Sequence, residues 1–137
     1  MSYVTIEEAV YNKLAGVTEL QNVQRVHTTN LPGFPAATFE PSEGENQMED
    51  TVNNLRHYSF DVVLHQEMTV AGREEAKNIL MAAVDAVITA FDEDFTLGGA
   101  VHSVIPLPSL WGTYRAGNAS VMYATLKVKC MLLVNVG

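Results

Sequence analysis

From about Gly72 to Phe91, the residues Ile79, Leu80, Ala83, Val84, Val87, Ile88 and Phe91 recur at alternating steps of one and three. That spacing predicts one continuous apolar face on a helix of about twenty residues, buried against something broad. The helix then runs into Asp92-Glu93-Asp94, at the negative end of its dipole, where cations are favoured over acids. Leu97-Gly98-Gly99 supplies a breaker, and an extended segment begins at Val101. A helix of this kind persists only where a sheet or a second helix covers its apolar face, so the flanking sequence has to supply that surface.

It does so by alternation. Tyr58, Phe60, Val62 and Leu64 share one face of a strand, with His57, Ser59, Asp61, Val63 and His65 on the other. Near the end, Met122, Ala124, Leu126, Val128, Cys130, Leu132 and Val134 alternate with Tyr123, Thr125, Lys127, Lys129, Met131 and Leu133. Thr5 and Glu8 have capping-box spacing, which predicts a first helix of about ten residues with Thr5 as N-cap and Gly16 as its stop. Val23–Thr28 and Ala36–Glu40 read as strands around the Pro32-Gly33-Phe34-Pro35 turn. The order of elements predicts an α+β fold, with a mainly antiparallel sheet, two helices packed on one face, and a long C-terminal strand. The whole chain, 1–137, is expected to form one domain.

Two segments break the alternation. Residues 42–54 carry Glu43, Glu45, Glu49 and Asp50 with no base, and only Met48 and Val52 are sizeable apolar groups. A polar stretch of that length is expected to be either a solvated loop or one that orders on assembly. Residues 106–118 hold Pro106, Pro108, Gly112 and Gly117 around Leu110, Trp111, Tyr114 and Arg115, and read as an irregular arm. Trp, Tyr and Arg are enriched at interface hot spots, although such a loop can equally tuck its tryptophan into its own core.

The final alternating strand sharpens the point. From Ser120 to Val136 it would reach about 55 Å at the strand rise, against a radius of gyration of ~14 Å for a domain of this length. It must bend, or project and pair beyond its own subunit. Its second face carries Tyr123, Met131 and Leu133, too apolar for an edge left in water.

Chemistry is sparse by comparison. His27, His57, His65 and His102 are scattered, and His57 and His65 lie about 27 Å apart along one strand, so no metal is expected. Asp92, Glu93 and Asp94 lack the alternating acids of a calcium loop. The glycine pair follows a helix end rather than preceding a helix start, which excludes a phosphate loop. Ser59, Ser103 and Ser109 have no nucleophile-elbow context, and Cys130 reads as a small core residue. No catalytic site and no cofactor is expected. Sixteen acids against eight bases give a net charge of −8, which repels phosphate and argues against specific DNA or RNA binding. No apolar run approaches the ~20 residues of a membrane span and no basic-then-apolar leader opens the sequence, so the chain is expected to be soluble and not exported.

One family draws these residues together. The short first helix, Leu31-Pro32-Gly33-Phe34-Pro35-Ala36-Ala37 before a strand, the polar loop, Tyr58-x-Phe60-x-Val62, the long helix into Asp94-Phe95-Thr96-Leu97-Gly98-Gly99-Ala100-Val101 and the long closing strand follow in order. Over nearly its whole length the chain resembles the tail terminator (tail-completion, minor tail) proteins of tailed bacteriophages. That resemblance implies a non-enzymatic homo-oligomer. Six copies would form a ring that caps the tail tube, ends its polymerisation and offers the head-side connector a joining surface. Assembly would take place in the host cytoplasm, and the product would sit in the tail or neck of the virion. Its partners would be the tail tube protein and neck proteins, with DNA passing through unbound. The candidate interface residues are Phe34, Met48, Trp111, Tyr114, Arg115, Tyr123, Met131 and Leu133, and Glu43, Glu45, Glu49 and Asp50 would form an acidic lumen or loop. Two alternatives are another neck or tail ring component and a small ligand-binding or enzymatic α+β domain.

Overall fold

The computed structural model describes residues 3–42, 48–49, 53–68 and 72–135. Two helices, α1 (Tyr3–Ala15) and α2 (Arg73–Glu93), lie on one face of a sheet. The strands are β1 (Asn22–Gln24), β2 (Ala36–Pro41), β3 (Met48–Glu49), β4 (Asn53–Met68), β5 (Ser103–Ala116) and β6 (Ala119–Asn135). They run in the order β1-β2-β4-β6-β5, with β3 paired to β4, and every pairing is antiparallel except β1 with β2. The α+β architecture expected from the alternation is therefore present.

The expected inward faces meet under the helices. Tyr58, Phe60, Val62 and Leu64 of β4 stand opposite Cys130, Val128, Leu126 and Ala124 of β6, and all eight are buried with Phe39, Ile6, Val10 and Leu14. Tyr3 stands edge-on to Tyr58 and Phe60, at centroid distances of 4.7 and 6.1 Å. Cys130 is wholly buried there, and burial pushes its thiol up to about 12.

Several boundaries differ from the sequence reading, each for a physical reason. The first helix already includes Tyr3, so Thr5 lies inside it rather than capping it; docking Tyr3 on Tyr58 outweighs a local cap. In α2 the buried set is Ala76, Leu80, Ala83, Val84, Val87 and Phe91. Ile79 is 36% exposed because the stripe that meets the sheet passes through Ala76, a turn earlier. The Val23–Thr28 strand shortens to Asn22–Gln24, where it pairs with only the first half of β2. Beyond it, Arg25 is drawn back to Glu8 of α1 at 2.7 Å.

Asp94 is a further surprise. It sits at the unfavourable end of α2, yet its carboxylate accepts the Gly98 N–H at 3.0 Å and meets Lys13 Nζ at 3.0 Å. The Gly98 hydrogen bond, followed by Lys13, holds the carboxyl below the usual range. One of the three acids is thus a tie between the exit of α2 and α1. The turn depends on Gly98 and Gly99, at φ +70° and +96°, and a Cβ at either would meet nothing within 4 Å. Gly99→Ala is therefore expected to cost about 1–2 kcal/mol from backbone conformation alone. Urea denaturation that shows no loss would remove the turn from the stabilising features.

The closing strand finds partners within its own chain along both edges for most of its described length. Ser120–Asn135 are matched residue by residue with β4, from Met68 to Asn53. On its other edge, Ala119–Met131 pair with β5, apart from an irregularity opposite Thr125. Its length is satisfied internally because β4 and β5 are nearly as long as β6. The segment read as an irregular arm is the greater part of β5. Its prolines are compatible with a ladder because β5 is an edge strand, so a missing N–H leaves no partner behind.

Candidate functional site

The surface that stands out is the β5–β6 hairpin, an edge strand with aromatic and apolar groups on both sides. Before the bulge, Val104, Pro106 and Pro108 stand opposite the core residues Cys130, Val128 and Leu126. Between Pro108 and Trp111 the register slips, and Leu110 N–H turns to donate to the Thr125 hydroxyl at 2.8 Å. After the slip, Trp111 and Thr113 stand opposite Ala124 and Met122, so odd positions now face the helices. Trp111 consequently lies beside Arg73, Lys77 and Met81 of α2, whereas Tyr114 emerges on the opposite, open face.

Large apolar side chains of β5 stand uncovered on both of its faces. Ile105, Leu107, Leu110 and Trp111 are 43, 42, 64 and 45% exposed. Pro106 and Pro108 have no N–H to offer, which blunts this edge against the addition of another strand. A neighbour meeting it would do so through side chains.

On the open face, a hydrogen-bonded chain crosses four segments. Tyr114 Oη lies 2.7 Å from His65 Nδ1, His65 Nε2 lies 3.0 Å from Thr38 Oγ1, and Thr38 Oγ1 lies 2.9 Å from His27 Nδ1. One consistent set of donors has the Tyr114 hydroxyl donating to His65, His65 Nε2–H to Thr38, and the Thr38 hydroxyl to His27; the opposite direction also satisfies every atom. The chain is anchored at its far end, where His27 N–H donates to Glu40 Oε2 at 2.7 Å. His65 is only 5% exposed. Burial, with a smaller contribution from His27, lowers its pKa to about 4. Burial likewise raises that of Tyr114. A shallow cleft of about 570 Å³ opens over this chain, between residues 27–29 and the Tyr114–Tyr123 pair. Tyr123 lies so close over Gly112 that a Cβ there would come within 2.6 Å of its hydroxyl.

The expected interface residues divide accordingly. Tyr114 and Tyr123 meet on the open face, with centroids 6.1 Å apart. Trp111 is on the helix side, and exposed Arg115 stands opposite Ser120 near the hairpin tip. Met131 and exposed Leu133 lie at the far end of β6. Half-buried Phe34 lies beyond the opposite edge, in the turn before β2. The backbones of Met48 and Glu49 form β3, while Glu43, Glu45 and Asp50 fall outside the described residues. The structure thus separates Trp111 from Tyr114, which the sequence had grouped together. His65, Thr38 and His27 were passed over because they converge only through the β2–β4 register.

Among the described residues, no group of three or more His, Cys, Asp or Glu is placed to hold a metal. No described helix is long and apolar enough to cross a membrane.

No protein-family model matches the sequence, and no curated protein does. Among solved structures, a chain in the virion of a native gene transfer agent particle is similar, with a TM-score of 0.51 and 16% identity. The match covers 95% of this chain and 99% of that one. At that identity the likeness is one of fold.

Proposed function

We propose that the chain is a structural, non-enzymatic virion protein, and more specifically a ring-forming tail terminator subunit. The observation that carries this reading is the exposure of Ile105, Leu107, Leu110 and Trp111, spread over both faces of an edge strand that its own prolines deny to a further strand. A surface of that kind calls for another protein surface. End-to-end similarity of fold to a virion chain supports the class. The order of motifs from Pro32-Gly33-Phe34-Pro35 to Asp94–Val101 supports the finer assignment. Six copies would close a ring on the last tube ring and present the joining surface to the neck, in the tail or neck region. With a formal charge of −8 per chain, the ring would let DNA pass without holding it.

Native mass spectrometry of the purified chain, alone and with tail tubes, tests this. The expected result is a six-membered assembly, or a monomer that becomes a ring on tube ends. Leu107→Lys with Leu110→Lys is expected to weaken assembly about tenfold or more while leaving the fold intact, because desolvated apolar anchors dominate such contacts. A persistent monomer that ignores tubes and retains a small molecule would favour a ligand-binding domain, with the cleft over His65 as its site.

A further inference from the structure

The helix-side pocket beneath Trp111 and the far end of α2 are complementary, and the same subunit cannot join them. Arg73, Lys77 and Met81 follow one another at four-residue steps and so line one stripe of α2. With Trp111, Gly112 and Met122 they enclose about 270 Å³. The chain has eight basic residues, and Lys13 and Arg25 are engaged by Asp94, Glu7 and Glu8. Arg73 and Lys77 make no ion pair among the described residues. At the other end of α2, Asp92 and Glu93 are exposed at a helix terminus whose dipole disfavours them, so an external cation would be gained there. Just beyond, Phe95 is 57% exposed. The two ends of this helix are about 30 Å apart at 1.5 Å per residue.

We propose that the pocket of Arg73, Lys77 and Trp111 receives Phe95 of a second copy, whose Asp92 and Glu93 pair with the two cations. The pocket combines the apolar side chains of Met81, Trp111 and Met122 with two cations, and the segment offered to it is an aromatic that directly follows carboxylates. Two different patches meet in this contact, so it is heterologous, and repeated around an axis it closes a ring. In that respect it rests on the ring reading above and supplies that reading with a specific joint.

The test is sedimentation and native mass spectrometry of the full chain at low and high salt, with far-UV circular dichroism as the folding control. Arg73→Glu with Lys77→Glu, and separately Asp92→Lys with Glu93→Lys, are each expected to weaken self-association about a hundredfold or more, since like charges then face each other. A chain carrying all four substitutions is expected to recover association to within about tenfold of the original. Phe95→Ala is expected to weaken it about thirtyfold through loss of the aromatic anchor. Rings that survive both charge reversals overturn the joint and leave the ring reading standing. An assembly that stops at two copies but is broken by each reversal and restored by the combination supports the joint and removes the ring. A wild-type chain that stays monomeric both alone and with tail tubes, or that uses these residues only to hold an unrelated acidic protein, overturns both.

Discussion

Phe60→Ala is expected to lower the unfolding free energy by about 3–5 kcal/mol, the range for a buried aromatic cut back to a methyl group. Phe60 is wholly buried. Its ring stands edge-on to Tyr3 at 6.1 Å and to Phe39 at 6.0 Å, so it couples α1, β2 and β4. It is also flanked in the sheet by Pro41 and Val128. The resulting void cannot collapse easily, because neighbours on three elements would have to move together, and the loss is a large share of a domain's typical 5–15 kcal/mol. Urea unfolding followed by circular dichroism reads the loss directly. A change below about 1 kcal/mol would mean that Phe60 is not central to the packing.

The second large effect is a dependence on acidity carried by His65. Its pKa in the folded chain is about 4, against 6.5 for the free side chain, because burial penalises the imidazolium and His27 adds repulsion. The unfolded chain therefore binds the proton more readily between those two values. Stability from this group is fully present above about pH 6.5 and falls as the pH drops toward 4. The gap corresponds to about 3 kcal/mol. His65→Gln keeps a donor and an acceptor for Thr38 and Tyr114 but has no proton to gain. The stability difference between pH 7 and pH 4 is expected to shrink by about that amount in the variant. Equal slopes for the two proteins would show that His65 is not held neutral by the fold.

The architecture was legible in sequence wherever one period dominated. Tyr58–Leu64 and Met122–Cys130 show an alternation that only a half-buried strand explains, and both faces lie where it placed them. The α2 stripe was legible from Leu80 to Phe91, and its edge at Ile79 was misjudged because periodicity gives direction but not the width of the contact. Val101 to Leu107 read as a short strand, but Pro106 and Pro108 hid the rest of β5: a proline argues against a central strand, and the edge position that excuses it is a property of the finished sheet. The same limit applied to Lys13 and Asp94, which are far apart in sequence and 3.0 Å apart in space. In the candidate site, Trp111, Tyr114 and Tyr123 could be singled out from residue type. Which face each takes depends on one extra residue in a register that no local pattern records.

The hairpin has a front and a back that can be rewritten separately. Deleting Ser109 would close the bulge into a regular ladder in which Trp111 still stands opposite Ala124 and Tyr114 opposite Val121, so each side chain would keep its surface. A lineage carrying this hairpin can remodel what it shows a neighbour on one surface while conserving the polar chain on the other.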